Sequence, residues 1–98
     1  MSNFVLMTEI YEDRRLDLES YLLREVLINP KNIMMLRDDP VLKEKITARG
    51  WPEGLDKRVE FCKLSMSTGA SHSTSISVVG DMRLIIEKLG MGEKNICM

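Results

Sequence analysis

The stretch "LSMSTGASHSTSISVVGD", residues Leu64 to Asp81, decides the fold because it joins two apolar runs through small polar residues. Apolar residues alternate with polar ones on both sides of its polar middle. The first run starts at Cys62, and the second includes Ile76 and Val78. This period of two is typical of strands, and Gly69 lies where the chain has to turn. The stretch therefore predicts an antiparallel hairpin whose serine and threonine hydroxyls face water without a chemical role.

Upstream of the hairpin, the sequence contains one clear strand and one ambiguous segment. The residues "FVLMTEIY" at 4–11 are rich in β-branched and aromatic types, which favour a strand with two partly covered faces. The segment 16–28 fits either a helix or a strand, since Leu18, Leu22 and Val26 have helical spacing but also share one strand face. The sequence leaves that choice open for residues 16–28.

A tight turn is expected at Asn29 and Pro30, because proline lacks an amide proton and favours extended geometry before it. We therefore expect a strand, a turn and a second strand over "VLINPKNIMMLRDD". Strict alternation in that second strand places three residues on one face and the next three on the other. The two expected sets are Ile33, Met35 and Arg37, and Met34, Leu36 and Asp38.

Two helices are predicted from their end signals. Asp39 is a candidate N-cap, Pro40 suits the first helical position, and Gly50 suits the end of that helix. Trp51, which follows it, is expected to pack over the edge of the core. Asp81 is the candidate N-cap of a C-terminal helix that ends at Gly90 and lies on the sheet through an apolar stripe of Leu84, Ile85 and Leu89.

These elements predict an α+β fold, with a small antiparallel β-sheet of about five strands, one short inserted helix and a C-terminal helix packed on the sheet. We expect residues 1–90 to form a single domain and residues 91–98 to form a flexible tail. Eight methionines and few aromatic residues indicate that flexible thioethers fill gaps in the small core or in an apolar interface, and the core is the favoured place.

Composition excludes several classes of function. The net charge of −1, with interspersed Lys, Arg, Asp and Glu, gives no general attraction to polyanions. Cys62 and Cys97 are expected to be free thiols, since two cysteines do not make a disulfide framework. The first residues lack a signal-peptide pattern and no apolar run is long enough to cross a bilayer, so we expect a cytoplasmic protein without membrane contacts.

The sequence predicts no catalytic residue, no cofactor and no metal site. His72 is the single histidine, and its strand neighbours Ser71 and Ser73 point to the opposite face, so adjacency does not make a nucleophile and base. One histidine and two distant cysteines cannot supply four zinc ligands within one chain. The pair Asp38 and Asp39 is explained by helix capping. An enzyme using Ser71, His72 or Ser73 is therefore only a reserve hypothesis.

The segments "REVLINPKNIMMLRDD", "FCKLSMSTG" and "SISVVGDMRLIIEKLG" resemble, in this order, the small bacterial FlbD family and, more distantly, the RemA-type regulators. The resemblance covers 24–38 and 61–89, and it consists of turn and packing signals. It implies a non-enzymatic regulator or accessory protein and, for the RemA-like relatives, an oligomer that binds DNA. The present chain differs from that pattern in its insert at 41–57 and in lacking a basic excess.

The favoured hypothesis is a small non-enzymatic binding or regulatory module that acts through self-association, as a homo-oligomer, or through a protein partner. Its motivation is the small size, the unpaired sheet edges and the methionine content. The alternative is an oligomeric nucleic-acid-binding regulator. In that alternative, the candidate phosphate-binding cations are Arg14, Arg15, Arg58 and Lys63.

Overall fold

A computed structural model describes residues 4–13, 20–69 and 72–90 of the chain. It contains one five-stranded antiparallel sheet in the order β2-β1-β5-β4-β3, which confirms the predicted α+β fold. No helix within these ranges is long and apolar enough to span a bilayer. The elements are β1 (Val5–Asp13), β2 (Ser20–Ile28), a 3₁₀ turn (Pro30–Asn32), β3 (Ile33–Asp38), α1 (Pro40–Arg49), β4 (Phe61–Gly69), β5 (His72–Val79) and α2 (Met82–Lys88).

The sheet consists of two locally connected parts that meet in the middle. Strands β1 and β2 pair without interruption from Val5 opposite Ile28 to Asp13 opposite Ser20. Strands β3, β4 and β5 form the second part, which includes the hairpin predicted from the polar stretch. The two parts join through β1 and β5, the first and last strands of the chain. The segment left open in the sequence is thus a strand over 20–28, whereas residues 14–19 lie outside the described ranges.

Helix α2 covers one side of the sheet, which we call the α2 face. Ile85, fully buried, is its main anchor. It packs with alternating sheet residues, and Leu89 after the helix belongs to the same cluster. Burying one such side chain is worth about 1.5 to 3 kcal/mol. The sheet residues of this core are Met7, Ile28, Cys62, Leu64 and Val78.

Helix α1 and the loop after it cover part of the other side, which we call the α1 face. Ile46 is the one fully buried residue of α1, and it packs with Ile10, Tyr21 and Phe61. The Trp51 ring packs against Phe61 with 5.9 Å between ring centroids, which confirms the predicted packing role of that tryptophan. Each face of the sheet therefore contributes to its own small hydrophobic core, one under α2 and one under α1.

Capping side chains fix where the two helices begin, as predicted. Asp39 Oδ1 accepts a hydrogen bond from the Leu42 amide at 3.2 Å, and Pro40 occupies the first turn of α1. Asp81 Oδ1 accepts one from the Leu84 amide at 2.8 Å at the start of α2. Each bond satisfies one of the amide groups that a helix N-terminus leaves without an intrahelical partner.

Gly80 makes a close connection between β5 and α2. Its backbone has φ +132°, and its amide donates a 2.8 Å hydrogen bond to the Glu60 carbonyl. A Cβ at this position would lie 3.1 Å from both Ile85 Cδ1 and Leu84 Cδ2. The backbone conformation favours glycine here, and a Cβ would also force the ends of the Ile85 and Leu84 side chains to shift by a few tenths of an ångström.

Two expectations about side-chain direction are wrong. A register shift between Ile33 and Met35 breaks the alternation of β3, so Ile33 and Leu36 both pack against the core of the α2 face. A bulge of this kind adds one residue to a strand and reverses the faces that follow. On α2, Leu84 is exposed rather than part of the stripe, and Met82 packs against the core instead.

Several methionines fill gaps in the core, as the composition predicted, whereas others are exposed. Met7 is fully buried, and Met66 and Met82 pack at the margin of the core on the α2 face, which fits gap filling. Met34 and Met35 are exposed on β3. The predicted flexible tail at 91–98, which includes Cys97, lies outside the described residues.

Candidate binding surfaces

The two edges of the sheet differ in how they are protected. β2 is nine residues long, contains no proline and pairs with β1 in unbroken register. β3 has only six residues, carries the bulge and ends two residues before Pro40. Short length and bulges are devices that discourage pairing with another strand. Of the two edges, β2 is therefore the better template for a further strand.

An apolar cluster lies beside the β2 edge on the α1 face, at the start of β1. Leu6 and Leu27 are direct cross-strand partners, with 52% and 63% of their surfaces exposed. Phe4, which is 53% exposed, lies just before β1 and two residues before Leu6. Single exposed apolar residues are normal, whereas three adjacent ones next to an open strand are typical of an interaction surface. We call Phe4, Leu6 and Leu27 the edge cluster.

The charge of Arg24 on β2 is neutralised from within the chain. Its Nε donates to Glu9 Oε1 at 2.8 Å, its Nη2 donates to Glu9 Oε2 at 3.3 Å, and its guanidinium lies 4.2 Å from the Tyr11 ring centroid. Hydrogen bonding to the largely buried Glu9, together with the charge of Glu9, raises the pKa of Arg24. Of the two charged side chains on β2, Arg24 is therefore paired within the chain. Its neutralised charge is less able to repel an approaching strand.

A row of polar residues crosses three strands on the α1 face. Arg37 on β3 is directly opposite Lys63 on β4, and Lys63 is directly opposite Ser77 on β5. Arg37 is exposed and Lys63 is partly buried. Within residues 4–13, 20–69 and 72–90, neither cation has an ion pair or a side-chain hydrogen bond. We call Arg37, Lys63 and Ser77 the cationic row.

Two rows of hydroxyls continue from the cationic row towards the hairpin tip. Ser65 is opposite Ser75, with 3.1 Å between their Oγ atoms, and Ser67 is opposite Ser73. Successive rows are two residues apart along each strand, a distance of about 6.5 Å. The predicted extended positions of the described serines are confirmed, and all four of these residues lie on the α1 face. They form the hydroxyl rows.

The hairpin tip does not assemble a reactive site from the residues described. His72 is exposed at the start of β5 and is paired with Gly69, while Ser71 lies outside the described residues. Ser73 faces the opposite side of the strand, as the sequence indicated. Within the described parts of the chain, no group of three or more His, Cys, Asp or Glu residues has an arrangement that could hold a metal ion.

A depression of about 270 Å³ lies where α1 and α2 begin, and its rim is acidic. Two of its carboxylates are the helix caps Asp39 and Asp81. A third, Glu60, forms an ion pair with Lys43, with 2.9 Å between Oε1 and Nζ. Asp38 accepts a weak bond from the Cys62 Sγ at 3.8 Å. Each carboxylate therefore has a partner that accounts for its position.

Cys62 is a free, fully buried thiol between β3 and β5. Burial raises its pKa to about 12, with the charge and the hydrogen bond of Asp38 adding to the effect. Reactive cysteines are accessible thiolates with lowered pKa values. Cys62 has the opposite properties, and its environment is that of a structural residue.

The four cations predicted for phosphate contacts are not brought together by the described structure. Arg14 and Arg15 lie outside the described residues. Arg58 forms a two-bond ion pair with Asp56, at 2.8 Å for its Nη2, and this bonding raises the pKa of Arg58 and lowers that of Asp56. Of the two predicted cations that the structure describes, Arg58 and Lys63, Lys63 is the one without a carboxylate partner. Its neighbour Arg37 was missed, because nothing local in the sequence fixes the register of β3 against β4.

Comparison of the chain with family models, with curated proteins and with solved structures returns no match. The resemblance to the FlbD and RemA-type families stays a prediction.

Proposed function

We propose that this protein is a small non-enzymatic binding module that self-associates through the edge strand β2 and the adjacent edge cluster. The observation that carries the proposal is the direct pairing of two exposed leucines, Leu6 and Leu27, at a strand that is the edge of the sheet among the described residues. Pairing a second copy along β2 would give its outward backbone groups partners and place a new cross-strand neighbour beside Leu27. Two copies meeting through the same edge form a closed dimer.

The charges on β2 are compatible with this pairing. Arg24 is held by Glu9, which leaves Glu25 as the exposed charge without such a bond on the strand. Negative charge on an edge strand opposes pairing, and one such residue is a weak barrier compared with the apolar surface that pairing would bury. The association is therefore expected to be reversible and to depend on concentration.

The test is the oligomeric state of the full chain over a range of concentrations, measured by sedimentation equilibrium. We expect a dimer that dissociates on dilution. The substitution Leu27→Lys should raise the dissociation constant about thirtyfold, because it is present in both copies and the loss of a cross-strand leucine contact costs about 1 kcal/mol in each. The matched control is Val41→Lys, because Val41 is comparably exposed on α1, away from the edge strand.

Two outcomes would contradict the proposal. One is a monomer at the highest concentration that the protein tolerates. The other is an oligomer whose dissociation constant is the same in the wild type, Leu27→Lys and Val41→Lys. Glu25→Gln gives a further check, because it removes the negative charge from β2 without adding apolar surface and should therefore lower the dissociation constant.

A further inference from the structure

We propose that the cationic row binds the phosphate monoester of a phosphorylated side chain in a segment of a partner protein. This surface is separate from the edge cluster and does not depend on self-association. The starting observation is that Arg37 and Lys63 are direct cross-strand partners. Like charges in this position destabilise a sheet, and the described chain provides no carboxylate to offset them.

The position of Lys63 strengthens the argument. Lys63 lies between Arg37 on one side and Ser77 on the other, with its stem partly covered and its ammonium group without a carboxylate partner among the described residues. Other basic residues of the described chain are paired where a carboxylate is near, as in Lys43 with Glu60. An anion from outside the chain would remove both the repulsion and the unpaired charge.

The size and charge of the row fit a phosphate monoester. Such a group carries a charge of about −1.5 to −2 and three acceptor oxygens. Arg37 can donate two parallel hydrogen bonds to it, Lys63 can supply a point charge, and Ser77 can add a hydroxyl donor. Two cations with side chains about 5 Å apart at their Cβ atoms match one dianion rather than a chain of charges.

The hydroxyl rows favour a peptide carrier over a nucleic acid. The rows beyond the cationic row are formed by Ser65 with Ser75 and Ser67 with Ser73, which are uncharged and not aromatic. They can hydrogen-bond a peptide backbone, but they offer neither the cations for further phosphates nor the rings on which bases stack. The net charge of −1 likewise gives no general attraction to a polyanion.

The test is titration of the isotope-labelled protein with a short phosphoserine peptide, followed by amide NMR spectra. We expect resonance changes centred on the cationic row and the hydroxyl rows, and smaller or no changes with the unphosphorylated peptide. Lys63→Met keeps the length of the side chain and removes the charge, so it should weaken binding at least tenfold. Arg37→Met should do the same.

The matched control is Arg83→Gln, because Arg83 is an exposed arginine on α2, on the other face of the sheet. This variant should bind like the wild type. In buffer without phosphate, Lys63→Met should melt no lower than the wild type, since it removes a like-charge contact. A purely structural lysine would instead lower the melting temperature when replaced, so this readout separates the two roles.

Three outcomes would overturn the proposal. The first is no resonance change in either row at millimolar phosphopeptide. The second is equal weakening of binding by Lys63→Met and Arg83→Gln. The third is tighter binding of inorganic phosphate or of a single-stranded oligonucleotide at the same row, which would assign the site to a different ligand.

Discussion

Replacement of Ile46 tests whether α1 is held on the sheet by a single side chain. Ile46 is the one fully buried residue of α1. It packs in a cluster with Ile10, Tyr21 and Phe61. Truncating a buried isoleucine to alanine typically costs 2 to 5 kcal/mol, so we expect Ile46→Ala to lower the free energy of unfolding by about 3 kcal/mol. Ile46→Val removes one methylene and should cost about 1 kcal/mol.

These energies translate into measurable melting temperatures. In a domain of this size, 1 kcal/mol corresponds to about 4 to 8 °C, so Ile46→Ala should melt about 12 to 24 °C lower than the wild type. Circular dichroism gives the melting curve, and the fluorescence of Trp51, the single tryptophan, reports on the same core through its contact with Phe61.

The control for this experiment is Val41→Ala, a substitution on the same helix at a residue that is 55% exposed. It should change the free energy of unfolding by less than about 0.5 kcal/mol. If Ile46→Ala costs no more than Val41→Ala, the docking of α1 described above is refuted. The same holds if the Trp51 emission is unchanged while the rest of the protein loses stability.

Further predictions concern a glycine, a cap and a thiol. Gly80→Ala should lower the free energy of unfolding, measured by chemical denaturation, by about 2 kcal/mol, since the added Cβ combines an unfavourable φ with close contacts. Gly54→Ala, with nothing within 4 Å of the added Cβ, should lower it by about 1 kcal/mol from backbone strain alone. Equal losses of stability in the two variants would contradict the steric argument. Asp39→Ala should cost about 1 kcal/mol by loss of the α1 cap, and an unchanged melting temperature would contradict that role. In a Cys97→Ser background, Cys62 should resist alkylation until the protein unfolds. Because the pKa of Cys62 is raised to about 12 in the fold, its contribution to stability should be complete below about pH 8.5 and be lost as the pH rises towards 12, a slope that Cys62→Val should abolish. Rapid labelling of the folded protein would refute the burial of this thiol.

Local signals in the sequence predicted the elements well, because helix ends and tight turns depend on neighbouring residues. Asp39 and Asp81 cap their helices as expected, and the polar stretch after Leu64 forms a hairpin. The bulge near Ile33 could not be foreseen, since it is set by pairing with β4 rather than by the residues of β3. The choice between helix and strand was settled for residues 20–28 by the partner strand, for the same reason.

The candidate surfaces were less predictable than the fold. Leucine is a residue type expected in the core, and Leu27 is exposed because β2 is an edge strand that no described helix covers at that corner. Lys63 was identified among the basic residues, but its neighbour Arg37 depends on a contact between residues 26 positions apart. Pairings at long sequence separation arise from the topology, which local periodicity does not contain.

The meeting of the first and last strands has a consequence for how the protein forms and opens. The β-ladder between β1 and β5 is short, with Glu9 opposite Val78 and Ile10 opposite Ser77, whereas the ladders on either side are much longer. Each half can organise from nearby residues, but joining them requires closing a loop of most of the chain, which is the slow kind of event in folding. We expect the amide protons along this junction to exchange with solvent sooner than those of the β4–β5 hairpin. The two halves of the sheet are then each locally stable, and the short β1–β5 ladder between them is the place where the sheet opens first.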